Sequence, residues 1–248
     1  MNSFFVSLFG QRRRTYVTML LTAASAVCLA LSISRLLYTE TTHFLFLIWN
    51  LFLAWIPFAA SLLAYELHRR REAGLAVLLG VGLFWLLFFP NAPYIVSDFV
   101  HLRHHGGQGP NEFWFWYDLV MIACFAWTGL LLGLVSLYLM QSIVRERIGR
   151  WFSWLFVGAA LFAGGFGVYL GRFQRWNSWD LLHRPLALIA DIAEKILHPF
   201  AHSRAWALTL LFTGMMAMLY FVLYGIVQYA KEHSEQSGEK REFRITES

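Results

Sequence analysis

Charged residues are scarce in this chain. Asp, Glu, Lys and Arg make up only 14% of its 248 residues, whereas hydrophobic residues make up 58%. In a soluble domain about a quarter of the residues are charged, so water cannot be the solvent for most of this surface. The shortage of charge excludes an ordinary soluble domain and indicates an integral membrane protein.

Cysteine is also rare, and the two cysteines, Cys28 and Cys124, both lie inside apolar runs. This placement is typical of small buried hydrophobic residues and predicts neither a disulfide nor a metal-binding pair. The net charge is +5, but the basic residues fall in short clusters between apolar runs, as the loop charges of a membrane protein do. We therefore expect membrane lipids, and no nucleic acid, as partners.

Six uncharged apolar stretches are long enough to cross a bilayer, since a helix needs about 20 apolar residues to span the hydrocarbon core. They lie at about Tyr16–Ser34, Phe44–Ala64, Leu75–Val96, Leu119–Gln141, Trp151–Gly171 and Ala205–Tyr229. The first is longer than the apolar part of a secretory signal peptide, so it predicts a retained helix. The sequence therefore predicts an all-α, polytopic membrane helical bundle. Residues 1–230 form its single transmembrane domain, and residues 231–248 form a polar, disordered cytoplasmic tail.

The distribution of Lys and Arg predicts the orientation of the bundle. With the N-terminus inside, 13 of these residues lie on the cytoplasmic side and 7 on the other side. The positive-inside rule then predicts that the N-terminus and the C-terminus both lie in the cytoplasm, as in a multi-pass protein of the bacterial inner membrane. Five of the seven outer cations lie between the last two spans, which is unusual for an outer loop.

The connection after the fifth span contains an amphipathic segment. From Leu186 to His198, apolar residues recur at spacings of three and four, while Asp191 and Lys195 form an i,i+4 pair on the other face. The segment is too short and too charged to span the membrane. We therefore expect a helix that lies along the outer membrane surface.

Polar residues converge on the predicted outer ends of the spans, where they are costly unless they pair, line water or serve a site. They are Asn50, Asp98, His101, Asp118, Arg172 and Arg175. Asp98 and His101 are candidate catalytic residues, because a carboxylate can orient an imidazole as a general base. Asp118 is the candidate second acid.

A divalent metal site, such as one for zinc, is an alternative for the same residues. On a continuing α-helix Asp98, His101 and His105 would form one stripe, and Asp118 would complete the ligand set. The Gly-Gly pair that follows favours a helix end instead, which would leave His105 in a solvated loop. A divalent metal is the only cofactor that the sequence suggests.

Arg172 and Arg175 lie where a lipid phosphate would be, and arginine can bind phosphate through two parallel hydrogen bonds. Two arginines on one helical face could clamp the phosphate of a phospholipid or a polyprenyl phosphate. Alternatively, each arginine pairs with Asp98, Asp118 or Asp180 and holds the helix ends together. Asp118 has a further structural interpretation, because a carboxylate near the start of a helix is favoured by the helix dipole.

Four stretches also resemble the motifs of a known family. They are NLFLAWIP, FFPNAPYIVSDFVHL, WYDL and YLGRFQRWNSWDLL, spread over about Asn50 to Pro199. These motifs are similar to those of a prokaryotic multi-spanning membrane-protein family catalogued as domain of unknown function 1361. The resemblance implies that the stretches are family features, but it implies no activity and no catalytic residue.

Three functions remain open at this point. The leading hypothesis is a membrane-embedded enzyme that acts on an amphipathic substrate, such as a lipid phosphate, at the outer leaflet. The second is a non-enzymatic protein whose polar cluster binds a lipid or a partner, or lines a transport path. The third is a purely structural cluster. Salt bridges that occupy both arginines with no cavity beside them would favour the structural cluster, and an open pocket with a free arginine would favour an anionic ligand.

Overall fold

The computed structural model describes residues 11–40, 42–71, 73–105, 112–176 and 178–246, and these residues form helices and no strand. In chain order the elements are α1 (Gln11–Thr39), α2 (Phe46–Arg70), α3 (Leu75–Phe88), α4 (Asn91–Tyr94), a 3₁₀ helix (Ile95–His105), α5 (Glu112–Arg147), α6 (Arg150–Phe173), α7 (Asp180–His183), α8 (Pro185–Leu197) and α9 (Ser203–Thr246). The predicted all-α fold is confirmed.

Six segments are long and apolar enough to cross a membrane. They are Arg14–Thr39, Phe46–Arg70, Leu75–Leu102, Glu112–Arg147, Arg150–Phe173 and Ser203–Ala230. Each overlaps one of the six stretches expected from the sequence, so the predicted multi-pass bundle is confirmed. The helices exceed the apolar runs because charged flanking residues, such as Arg69 and Arg70, are also good helix formers.

The fourth span, α5, is the central helix of the bundle. It packs against α1, α2, α4, the 3₁₀ helix, α6 and α9. Its contact with the end of the third span depends on Gly133, where an added Cβ would lie 2.8 Å from the Cβ of Ala92. On the other side, α6 approaches the same segment through Gly167, where an added Cβ would lie 2.5 Å from Pro90. Small residues thus hold the Pro90–Tyr94 segment between two helices, as close packing in membranes requires.

The third span is not one continuous α-helix, although the sequence predicts it as one. Pro90 lacks the N–H that an uninterrupted helix needs, and α3 ends at Phe88. Side chains satisfy carbonyl groups at this break. Asn91 Nδ2 donates to the Phe88 carbonyl (2.9 Å), and the Ser178 hydroxyl donates to the Leu87 carbonyl (3.1 Å). The backbone can therefore change direction inside the bundle and continue as the 3₁₀ helix.

The amphipathic segment predicted after the fifth span forms the helix α8. Asp191 and Lys195 pair at 2.6 Å, as the sequence predicts. Lys195 lies on the polar side of α8, but it is only 1% exposed. The indole N–H of Trp176 also donates to Asp191 (3.0 Å), and this bond joins α8 to the chain after α6. Ile192 packs towards the bundle, whereas Ile189 is exposed.

The last helix continues through part of the segment for which the sequence predicts disorder. The apolar span within α9 ends at Ala230, but the helix itself runs to Thr246. Glu, Lys and Arg, which together make up half of this segment, are good helix formers. Extending an existing helix also avoids the cost of nucleating a new one. The structure thus describes α9 as a helix up to Thr246, and the disorder of the tail stays a prediction.

Candidate functional site

The polar residues predicted to form a site lie at one end of the bundle, which we call the polar end. It is formed by the last turns of α1 and α6, the first turns of α2 and α5, and the 3₁₀ helix. Its charged side chains form two groups. One is the Arg172 cluster, made of Asn50, Tyr94, Ser97, Asp98, His101 and Arg172. The other is an ion pair between Arg35 and Asp118.

Arg172, in the last turn of α6, is the centre of its cluster. Its Nη2 forms an ion pair with Asp98 Oδ1. Its Nε donates to the Ser97 hydroxyl (2.8 Å), and its Nη1 donates to His101 Nε2 (3.3 Å). The guanidinium also lies over the ring of Tyr94, 4.7 Å from the ring centroid. Each guanidinium nitrogen therefore has a partner on the 3₁₀ helix.

Asp98 is buried, with only 1% of its surface exposed, so its charge must be compensated inside the bundle. One carboxylate oxygen pairs with Arg172, and the other accepts a hydrogen bond from Asn50 Nδ2 (2.8 Å). These partners belong to α6 and α2. Asp98 thus joins three segments that are distant in the sequence.

The 3₁₀ helix explains why Asp98 and His101 meet the same guanidinium. It has about three residues per turn, so residues three positions apart lie on one edge. His101 therefore lies one turn from Asp98 on the same side, as expected. The sequence predicts His105 on the same stripe of a continuing α-helix, whereas this segment is a 3₁₀ helix. The side chain of His105 is outside the described part of the structure.

Asp98 and His101 both have protein partners in this arrangement. Arginine has no acceptor, so His101 Nε2 must be unprotonated to accept from Arg172. Asp98 uses both oxygens for Arg172 and Asn50. Among the described residues, no group of three His, Cys, Asp or Glu side chains is placed to hold a metal ion. This arrangement adds no support for the metal hypothesis. Asp98 and His101 both contact Arg172, and their catalytic roles stay predictions.

Asp118, the candidate second acid, pairs with a residue that sequence reasoning overlooked. Arg35 Nε donates to Oδ1 (2.6 Å) and Arg35 Nη2 donates to Oδ2 (3.1 Å), and both side chains are buried. The pairing with Arg172 or Arg175 considered from the sequence is therefore replaced by this one. One feature could have indicated it: Arg35 is the single cation that follows the first span.

Aromatic rings connect the two charged groups. The Arg35 guanidinium lies 4.5 Å from the ring centroid of Trp114 and 5.9 Å from that of Phe44. Phe44 contacts His43, with 5.1 Å between ring centroids, and His43 lies 6.1 Å from His101. Two residues between α1 and α2, His43 and Phe44, thus lie beside both charged groups.

Arg175 does not join Arg172 on one helical face. α6 ends at Phe173, and Arg175 has a left-handed backbone with φ 59°, in a position after a helix end that glycine usually takes. The next N–H, of Trp176, closes the helix end by donating to the Leu170 carbonyl (3.2 Å). Arg175 is exposed, and no ion pair joins it to another described residue. The expected clamp of two parallel arginines is therefore not formed.

A cavity of about 370 Å³ lies beside the Arg172 cluster. Asn50 and Tyr94 belong both to the cluster and to the cavity wall. Most of the wall is apolar and comes from α2, α3, α6 and α8. Its apolar members include Leu53, Leu86, Phe166, Leu188 and Ile192, and its polar members include Asn91 and Ser178.

Comparison with known families matches the region that builds this site. The family model described as "Protein of unknown function (DUF1361)" matches residues 49–219. The match includes the Arg172 cluster, Asp118 and α8, but it begins after Arg35. Comparison with curated proteins and with solved structures finds no match. Because the family model covers more than half of the chain, the protein belongs to the DUF1361 family.

Proposed function

We propose that the protein binds an amphipathic ligand with a phosphate head group, such as a phospholipid or a polyprenyl phosphate, in the cavity at the polar end. The observation that carries this proposal is that an apolar cavity and a charged cluster share a boundary at Asn50 and Tyr94. An amphipathic ligand requires this combination, because its chain needs apolar walls and its head group needs polar partners.

The cavity suits a hydrocarbon chain. Its volume of about 370 Å³ lies in the range of known ligand sites. Leu188 and Ile192 of α8 form one wall, so a bound chain would lie between this helix and the spans. Removing apolar surface from water would contribute about 25 cal/mol per Å² to binding.

Arg175 is the cation best placed for the head group. It directly precedes Trp176, a residue of the cavity wall, and its guanidinium is exposed without an ion-pair partner among the described residues. Arginine can donate two parallel hydrogen bonds to a phosphate. Arg172 is already compensated by Asp98, so its role is to shape the polar rim through Tyr94 and Ser97.

The same contacts favour binding over the enzymatic hypothesis. Asp98 and His101 are engaged with Arg172, and Asp118 is buried against Arg35. From the excess of cations near the other helix ends, we infer that the polar end faces away from the cytoplasm. The ligand would then be a lipid of the outer leaflet of the inner membrane.

The proposal is tested by titrating the delipidated protein with phosphatidic acid and following binding by native mass spectrometry. Ile192→Trp fills the cavity, and Arg175→Gln removes the exposed cation. We expect each to weaken binding about tenfold, equivalent to about 1.4 kcal/mol. Arg184→Gln is the matched control, because Arg184 is also an exposed cation but, unlike Arg175, is not adjacent in the sequence to a residue of the cavity wall.

Unchanged affinity in both Ile192→Trp and Arg175→Gln would overturn the proposal. Phosphatidylcholine with the same chains should bind more weakly than phosphatidic acid, because it carries no net negative charge. If the wild-type protein released inorganic phosphate from the lipid and Asp98→Asn did not, catalysis would replace binding as the function.

A further inference from the structure

A second groove lies at the opposite end of the bundle, between the start of α1 and the end of α2. Its volume is about 770 Å³. Its polar wall contains Arg14, Thr15, Thr18, Glu66 and Arg70, and its apolar wall includes Met19, Ala23, Ala26, Leu62 and Leu63. The polar residues lie near the ends of the two spans, and the apolar residues lie deeper along them. The groove therefore changes from polar to apolar along its length.

The polar part of this groove contains more positive than negative charge. Arg14 Nη1 donates to Glu66 Oε2 (2.6 Å), and Arg70 Nε donates to Glu66 Oε1 (2.6 Å). Arg69 Nη2 is 3.4 Å from the same Oε1. Arg14 and Arg70 line the groove and share this carboxylate with the neighbouring Arg69. The excess is therefore one positive charge among the lining residues, and two with Arg69 included.

The hydrogen-bonding capacity of these arginines is also incompletely used. The Nε atom of Arg14, which lines the groove, is buried and has no hydrogen-bond partner in the described structure. A buried donor without a partner costs about 1–3 kcal/mol, so an acceptor at this position would be favoured. The side chain of Arg14 is only 11% exposed and its guanidinium lies 5.2 Å from the ring centroid of Tyr65, which fixes its place at the groove.

We propose that this groove is a binding site for an anionic phospholipid, independent of the function proposed for the polar end. The phosphate would meet Arg14 and Arg70, which complement its charge. The threonine hydroxyls would face the glycerol and ester region. One acyl chain would follow Met19, Ala23 and Ala26 along α1. The wall is mostly apolar beyond Thr18, with Thr22 as its polar member, and this is the reason that a lipid, and not free phosphate, fits the groove.

The test is native mass spectrometry of the delipidated full-length protein titrated with phosphatidylglycerol, with phosphatidylcholine of the same chains, and with inorganic phosphate. We expect phosphatidylglycerol to bind at least about tenfold more tightly than phosphatidylcholine. Arg14→Gln with Arg70→Gln should remove most of this preference. Arg147→Gln is the control, because Arg147 lies at the same end but donates to His68 and does not line the groove.

A second variant separates loss of the site from loss of the fold. Ala26→Leu adds bulk to the apolar wall at an exposed position of α1, and it should weaken lipid binding without changing any charge. Equal affinity of the wild type for both lipids, or unchanged phosphatidylglycerol affinity in the variants, would overturn the proposal. Binding of inorganic phosphate as tight as that of lipid would replace the lipid site with a phosphate site. Arg175→Gln should leave this groove unaffected, so the two proposals fail separately.

Discussion

Arg35 donates from Nε and Nη2 to the two carboxylate oxygens of Asp118, and this two-point ion pair is buried between the first span and the central helix. Each charge is tolerated inside the bundle only because the other is present. The Tyr117 hydroxyl, which donates to the Leu31 carbonyl (2.9 Å), reinforces the same contact. Together these bonds fix the rotation of α1 against α5.

Removing one partner of this pair should destabilise the protein more than removing both. Arg35→Met or Asp118→Leu alone leaves a buried charge without a partner, so we expect the free energy of unfolding to fall by about 3 kcal/mol or more. The double variant leaves no buried charge and should lose less than either single variant. Unfolding in mixed micelles measures this. Additive losses in the double variant would contradict the compensation argued here.

Replacing a glycine that packs against the Pro90–Tyr94 segment with alanine should destabilise the protein. At Gly167 an added Cβ would lie 2.5 Å from Pro90, so Gly167→Ala should lower the free energy of unfolding by about 1–3 kcal/mol. Gly158 is the matched control on the same helix, because an added Cβ there meets no atom within 4 Å. Gly158→Ala should be neutral or stabilising by up to about 1 kcal/mol. Equal effects of the two substitutions would exclude a packing role for Gly167.

The fixed donor directions of the Arg172 guanidinium should contribute to the stability of the protein in addition to its charge. Arg172→Lys keeps a cation for Asp98 but cannot also donate to Ser97 and His101 from three fixed directions. We expect it to lose about 1–2 kcal/mol of stability, and Arg172→Met to lose more because Asp98 is then unpaired. Thermal unfolding of the two variants checks this order. A lysine variant as stable as the wild type would mean that charge alone is needed.

The sequence predicts the spans well because their only requirement is an apolar run of the right length. The sequence predicts less well how the spans pack against one another. The change to a 3₁₀ helix after Pro90 depends on tertiary partners, such as Ser178, which satisfies a carbonyl at the break. The i,i+4 pattern predicts that Lys195 pairs with Asp191, but no pattern within α8 reveals that Trp176 also donates to Asp191.

The contacts within the candidate site were also only partly predictable from the sequence. Asp98, His101 and Arg172 do meet, since polar residues inside an apolar bundle must find each other. The pairing of Asp118 with Arg35 was not predicted, because spacing along the chain does not show which helices are neighbours. The left-handed backbone that separates Arg175 from Arg172 also has no sequence signature, since glycine is the residue usual at that position.

The predicted orientation can be tested with single cysteines in a Cys28→Ala, Cys124→Ala background. His183→Cys is at the polar end and Ile148→Cys lies between α5 and α6 at the opposite end, and both positions are exposed. The positive-inside rule predicts that an impermeant thiol reagent labels His183→Cys in intact cells. Ile148→Cys should react only after permeabilisation. The reverse pattern would place the polar end in the cytoplasm.

Ile189 and Ile192 of α8 should report different environments, although the sequence predicts lipid contact for both. Ile189 is 56% exposed, whereas Ile192 packs towards the bundle and lines the cavity. A spin label at Ile189 should therefore be mobile and accessible to oxygen dissolved in the membrane, and a label at Ile192 should be immobilised. Glu194 is exposed on a charged side, so a label there should be accessible to a water-soluble relaxation agent. Equal mobility at Ile189 and Ile192 would mean that α8 does not pack against the spans. The cavity would then lose one wall, and the site proposed for the lipid chain would lose its boundary.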